Sequence, residues 1–251
     1  MALPTKTLRY LLLATFILVP VINYLPFAWG NAQGRFNENY ETRVDAAGYA
    51  FSIWGVIFLG MIIFAWTQLQ NKRETPPLRR AYLFLISAGL ASIAFVPISQ
   101  SQNQLLGVVD LWWHLISLIG AYVALRAHVR EMGQVHSGWA YFAPSMYLGW
   151  ISAATVISTA LALSSLGVAF SPLVAVYIAL ALIVVLTVIG LYLGLRRDGI
   201  YALTVAWALV AIAVEQQDAP LLLWGGAAGA TVLAIVALGR LLGGRDFFYA
   251  S

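Results

Sequence analysis

The stretch DAAGYAFSIWGVIFLG, residues 45–60, combines an almost uncharged apolar run with a regular row of aromatic side chains. Small residues separate these aromatic side chains, whereas a helix that only contacts lipid is built mainly from leucine, isoleucine and similar residues. The aromatic residues of the row are Tyr49, Phe51, Trp54 and Phe58. We interpret the row as one wall of a binding pocket, with helix packing or anchoring at the membrane surface as the alternatives.

The composition around this stretch predicts an integral membrane protein. Of the 251 residues, 61% are hydrophobic and only 10% are charged, whereas about a quarter of a soluble domain is charged. The net charge of +4 is better explained by basic residues in cytoplasmic loops than by a nucleic-acid partner. The chain contains no cysteine, which excludes disulfides, thiolate metal ligands and a cysteine nucleophile.

Eight apolar segments have about the length that a membrane-spanning helix needs. The predicted spans are residues 9–29, 49–70, 81–99, 105–127, 140–163, 172–194, 200–215 and 220–242. The sequence therefore predicts an all-α membrane protein. We interpret the first span as a retained helix and not as a cleaved signal peptide, because no small-residue cleavage site follows it.

The loops between these spans alternate in charge. Loops 71–80, 128–139 and 195–199 are basic, whereas loops 100–104 and 164–171 carry no charge. Positive loops stay in the cytoplasm, so this alternation predicts that both termini are cytoplasmic.

The longest loop on the other side of the membrane, residues 30–48, leads directly into the aromatic row. A loop of this length between two spans is often a lid or a binding element. We expect it to cover the pocket, with a solvated connection as the alternative.

The fourth span carries two ionisable groups, Asp110 and His114, four residues apart and therefore on one face of the helix. Ionisable groups inside membranes usually face the bundle interior or a wet cavity. Asp110 either orients His114 or contacts the polar edge of a ligand; the alternative is an Asp–His pair that joins helices. Two such residues are too few for a metal site, although His114 alone remains a possible axial ligand of a metallo-tetrapyrrole. Trp113 is the expected pocket residue of its tryptophan pair, and Trp112 is expected to meet lipid or a neighbouring helix.

The fifth span adds a third candidate surface, a stripe formed by Tyr147, Trp150 and Ala154. The chain contains no P-loop, no G-x-S-x-G, no H-E-x-x-H and no glycine-rich dinucleotide turn. The sequence therefore does not point to an enzyme.

Three segments together resemble one protein family. GYAFSIWGVIFLGMIIFAW (48–66) is similar to the second helix of the TspO/MBR family of tryptophan-rich sensory, or translocator, proteins. VVDLWWHL (108–115) is similar to the start of that family's fourth helix, and YLGWISAATVIS (147–158) resembles its fifth. Ala46 and Ala47 stand where the family has prolines, and Ser158 stands where it has asparagine.

The resemblance covers residues 1–165, so residues 166–251 are expected to form a three-helix membrane extension. It implies a five-helix bundle with a pocket under loop 30–48, and a porphyrin, another tetrapyrrole such as haem or a chlorophyll-type pigment, or a sterol-like molecule as ligand. The expected ligand-binding residues are Tyr49, Phe51, Trp54, Phe58, Asp110, Trp113, His114, Tyr147, Trp150 and Ala154.

The resemblance favours a membrane-embedded sensor or carrier of a flat hydrophobic ligand. The alternatives are a structural or pigment-binding subunit of a larger membrane complex, photosynthetic or respiratory, and a small-molecule transporter. The expected partners are the lipid bilayer, the hydrophobic ligand and either a second copy of the chain or other membrane proteins, and no nucleic acid. The expected location is a bacterial inner membrane, cytoplasmic or intracytoplasmic.

Overall fold

The computed structural model describes residues 4–28, 42–72, 74–101, 103–132, 141–168, 170–196 and 198–242. Within these ranges every regular element is a helix. The α-helices are α1 (Thr5–Ala28), α2 (Ile53–Gln70), α3 (Pro76–Gln100), α4 (Gln104–Met132), α5 (Phe142–Ser165), α6 (Pro172–Leu195), α7 (Gly199–Glu215) and α8 (Pro220–Leu242). The all-α membrane fold predicted from the sequence is confirmed.

Seven of the helices in the described ranges are long and apolar enough to cross a membrane. The remaining one, α7, is apolar but has only 17 residues, the lower end of the length that spans a bilayer. The count of eight spans and the orientation with both termini inside therefore stay predictions.

Helix starts are set by polar caps that the apolar pattern alone does not reveal. The hydroxyl of Thr75 accepts a bond from the backbone N–H of Leu78, and Pro76 follows it at the first helical position. Helix α3 consequently begins at Pro76, five residues before the predicted span. Ser171 caps α6 in the same way.

Asp198 caps α7 from a buried position, with its side chain only 1% exposed. Its carboxylate accepts from the backbone N–H of Tyr201 at 2.9 Å and from the Ser145 hydroxyl at 2.5 Å. Burial raises the pKa of Asp198, and the two hydrogen bonds oppose that rise. This cap joins the start of α7 to α5.

The first five α-helices form a closed ring. Each contacts two neighbours, in the order α1, α3, α4, α5, α2 and back to α1. The interior of this ring is filled by the buried side chains of the hydrophobic core, among them Leu12, Phe16, Ile57, Leu118 and Tyr147.

The last three helices pack against one another, and α7 connects them to the ring through α5. Gly149 on α5 permits this contact, because a Cβ atom there would lie 2.9 Å from the Cβ of Thr204 on α7. The division of the chain at residue 165 into two parts stays a prediction.

The second predicted span is not one continuous α-helix. A short 3₁₀-helix, η1 (Gly48–Ser52), precedes α2, and together with residues 42–47 it forms what we call the entry segment, residues 42–52. The backbone N–H of Ala47 donates to the carbonyl of Ala211 at 3.0 Å, and the indole N–H of Trp207 donates to the carbonyl of Ala50 at 3.2 Å. Non-helical backbone is tolerated beside a membrane helix when protein groups satisfy it, and α7 supplies those groups here.

Candidate functional site

Tyr147 on α5 is the meeting point of the ring interior. Its side chain is fully buried, and its hydroxyl lies 2.6 Å from Nε2 of His114 on α4, within hydrogen-bonding distance. Its ring makes edge contacts with Phe16 of α1 at 6.3 Å and with Trp54 of α2 at 5.8 Å between ring centroids. Side chains from four of the five ring helices therefore meet at one point, which we call the central cluster: Phe16, Trp54, His114 and Tyr147.

The aromatic row that defines the start of the second span contributes to this cluster along one side. Trp54 stacks on Phe58, with ring centroids 5.1 Å apart and planes 28° apart. Trp54 and Phe51 both contact Trp150 edge-on, at 6.3 Å and 5.8 Å. The structure thus brings together most of the aromatic residues that the sequence singled out on the second and fifth spans.

Tyr49 is the exception within the row. Its ring contacts Trp207 of α7 at 5.3 Å, with the planes nearly perpendicular. It therefore joins the entry segment to the C-terminal helices, and no ring contact links it to the central cluster in the described part of the chain.

Asp110 and His114 are both buried, with exposed fractions of 3% and 2%. They share a helix face as predicted, but no hydrogen bond joins them, because neither carboxylate oxygen of Asp110 has a hydrogen-bond partner among the described residues. His114 instead bonds to Tyr147 across the helix interface. The structure therefore does not show the alternative in which Asp110 and His114 form a pair.

Trp113 lies apart from the central cluster. Its indole N–H donates to the Ser87 hydroxyl of α3 at 3.0 Å, and 42% of the residue is exposed. Its neighbour Trp112 is exposed to a similar extent, 47%. Ala154 on α5 is partly buried against the hydrophobic core. The ligand-binding roles predicted for Trp113 and Ala154 stay predictions.

Trp207, Arg43 and Asp218 belong to the surroundings of the site, although sequence reasoning did not include them in it. Arg43 of the entry segment forms an ion pair at 2.6 Å with Asp218, in the turn between α7 and α8. Gln216 donates to the carbonyl of Thr42 at 3.4 Å. Nothing in the sequence pairs residues this far apart, so these contacts had no signal in the apolar pattern.

A cavity of about 270 Å³ lies where α2, α5 and α7 meet beside the entry segment. Its walls are almost entirely apolar, and the lining residues are Ser52, Ile53, Val56, Phe142, Met146, Ile200, Leu203, Thr204 and Trp207. Small-molecule pockets usually measure about 300–1,000 Å³, so this space is at the small end. It is lined by none of the predicted ligand-binding residues.

The central cluster is closed by contacts between its own rings. Because Trp54 contacts both Tyr147 and Trp150, a flat ligand enters between Trp54 and either ring only if the rings separate. Axial ligation of a metal by Nε2 of His114 would require the bond to Tyr147 to break. In the described ranges no group of three or more acidic or histidine side chains is placed to hold a metal ion by itself.

Most of the predicted lid, loop 30–48, lies outside the described residues, which begin again at residue 42. The described part of that loop turns toward α7 through the contacts of Arg43 and Ala47. The prediction that the loop covers a pocket therefore stays a prediction.

Comparison with known proteins identifies the family to which the chain is similar. A family model described as "TSPO-like protein" matches residues 9–239. No curated protein and no solved structure matches the chain. The matched range includes the last three helices as well as the five of the ring.

Proposed function

The chain belongs to the TSPO-like protein family, and from this premise we propose that it binds a flat hydrophobic ligand of the porphyrin type inside the membrane. In this proposal the protein acts as a sensor or carrier of that ligand. A bacterial inner membrane is the proposed location, and a second copy of the chain or other membrane proteins are the proposed partners besides lipid.

The observation that carries the proposal is the central cluster together with its aromatic wall. Aromatic side chains present broad apolar faces and prefer offset or edge contacts with other rings. Trp54 stacks on Phe58 and makes edge contacts with Tyr147 and Trp150. A planar macrocycle that replaced one of these ring contacts would bury its own face against the same side chains.

A few polar groups lie at this apolar wall, as they do in sites that orient a ligand. The bond between His114 and Tyr147 holds a donor and an acceptor at the bundle centre, and the Asp110 carboxylate lies one helical turn away. Ligand entry that separates Trp54 from Tyr147 acts directly on the start of α2. Movement of the start of α2 would also move the entry segment and its contacts with α7. A sensor could signal in this way that the ligand is bound.

The test is titration of the purified protein with a free-base porphyrin, followed by quenching of tryptophan fluorescence and by the shift of the porphyrin absorption band. Trp54→Ala removes the ring at the centre of the wall and should weaken affinity about two- to tenfold, given the usual contribution of an aromatic contact. Trp66→Ala is the matched control, because Trp66 lies on the same helix with 57% of its surface exposed.

The proposal fails if the wild-type protein gives no saturable binding of the porphyrin. It also fails if Trp54→Ala and Trp66→Ala bind with equal affinity, since the porphyrin would then bind elsewhere or partition into detergent.

A further inference from the structure

Asp110 is a buried carboxylate without a hydrogen-bond partner among the described residues. Its exposed fraction is 3%, and neither oxygen makes a hydrogen bond in the described part of the protein. Buried polar groups are normally hydrogen-bonded, and a buried charge is normally paired. A carboxylate without a partner among the described residues, inside a membrane bundle, is therefore a candidate functional group.

The side chains around Asp110 do not supply that partner. His114, one turn along α4, directs Nε2 to Tyr147 on α5. Leu111, the next residue, has its carbonyl engaged by the Thr155 hydroxyl of α5 at 3.4 Å. The two ion pairs found among the described residues, Arg9–Glu74 and Arg43–Asp218, are formed by other carboxylates.

We propose that Asp110 recognises an ammonium or other N–H group carried at the edge of a flat aromatic ligand bound at the central cluster. An ionised carboxylate is only an acceptor, so its natural complement is an N–H or ammonium donor. A ring face is electrostatically negative, so the aromatic rings of the central cluster also favour a cation over an anion. This inference rests on the proposed function and specifies the chemistry of the ligand.

The orientation of the ligand follows from the same charges. A ligand carboxylate next to Asp110 would place two negative groups together in a poorly hydrated site, which disfavours both. Carboxylate groups of a bound macrocycle should therefore point away from Asp110, and any side group that carries an N–H or ammonium should point toward it. The site consequently discriminates between ligands that share a core and differ in their side groups.

The experiment uses two porphyrins with one core, one carrying ammonium side groups and one carrying carboxylates, and measures the ratio of their affinities for the full-length protein. The wild type should prefer the ammonium form. Asp110→Asn keeps the size of the side chain and removes its charge, and it should reduce that preference about ten- to a hundredfold. Glu215→Gln is the matched control, since Glu215 is an exposed acid at the end of α7, and it should leave the ratio unchanged.

A second measurement does not depend on the folding of a variant. A hydrophobic carbodiimide should modify Asp110 in the wild-type protein, as shown by mass spectrometry, and the ammonium porphyrin should protect it. An unchanged ratio in Asp110→Asn, or modification that the bound ammonium porphyrin does not slow, overturns this inference while porphyrin binding itself persists. If the wild type binds neither porphyrin, the proposed function fails first and the inference fails with it.

Discussion

Replacing Gly149 by alanine tests the contact that joins the five-helix ring to the last three helices. The new Cβ would lie 2.9 Å from Cβ of Thr204 and 3.2 Å from the carbonyl oxygen of Tyr201. Neither atom is the free end of a flexible side chain, so α5 and α7 must move apart to accept the methyl group. Overpacking of this kind costs about 1–3 kcal/mol.

The matched control is Gly55→Ala on α2, where a Cβ atom meets nothing within 4 Å. Both substitutions exchange glycine for alanine inside a helix, so both gain the same helix propensity, up to about 1 kcal/mol. The difference between the two variants then isolates the steric contribution at the α5–α7 contact. At about 2–4 °C per kcal/mol for a chain of this size, Gly149→Ala should melt about 2–12 °C below Gly55→Ala.

The assay is thermal unfolding in mild detergent, followed by the fraction of protein that still elutes as a single species. Removing the opposing Cβ with Thr204→Gly in the Gly149→Ala background should recover part of the loss, because the closest of the clashing atoms is then absent. Equal melting temperatures for Gly149→Ala and Gly55→Ala would refute the close α5–α7 packing described above.

Three further predictions concern polar contacts, each measured by the same melting assay. Arg43 lowers the pKa of Asp218. The ion pair therefore stabilises the fold at pH values above the unfolded carboxyl pKa of about 3.9, and this stabilisation is lost as the pH falls through the lowered pKa. Asp218→Asn should lower the melting temperature slightly at pH 7, and a deficit that persists unchanged at pH 2 would contradict this. Tyr147→Phe leaves the buried Nε2 of His114 without its hydrogen-bonding partner at 2.6 Å and should lower the free energy of unfolding by about 1–3 kcal/mol. Wild-type stability in this variant would show that the bond contributes nothing. Trp207→Phe keeps an aromatic ring on α7 but removes the indole donor to the 3₁₀-helix, for which we expect a loss of about 0.5–1.5 kcal/mol; an unchanged melting temperature would argue against that bond.

The helices were predictable from the sequence because each is a predominantly apolar run with polar or glycine- and proline-containing ends. The predicted spans 172–194 and 220–242 agree with α6 and α8 to within one residue. Helix α3 begins earlier than predicted because Thr75 and Pro76 form a cap that an apolar window does not detect. Hydropathy locates a helix well and its first turn less well.

The candidate site was only partly predictable because helical periodicity identifies a face and not the helix that this face contacts. His114 and Trp113 are adjacent and point about 100° apart; His114 reaches α5, whereas Trp113 reaches α3. Tyr49 belonged to one row in the sequence, yet it contacts Trp207, a partner 158 positions along the chain that no periodic pattern reveals. That Asp110 finds no hydrogen-bond partner in the described part of the chain likewise depends on which neighbours lie close in space.

The dependence of the entry segment on α7 has a consequence for how the protein is made. Trp207 and Gln216 bond to carbonyls 157 and 174 residues earlier in the chain. At a synthesis rate of about 5–20 residues per second, the hydrogen-bond donors of these carbonyls are synthesised about 8–35 s after the carbonyls themselves. Until then the segment has peptide groups that lipid cannot satisfy, so it must remain hydrated or shielded by the insertion machinery. The entry segment of the nascent chain therefore reaches its final form only after α7 has been synthesised, and ribosome stalling before residue 207 should leave that segment without these hydrogen bonds.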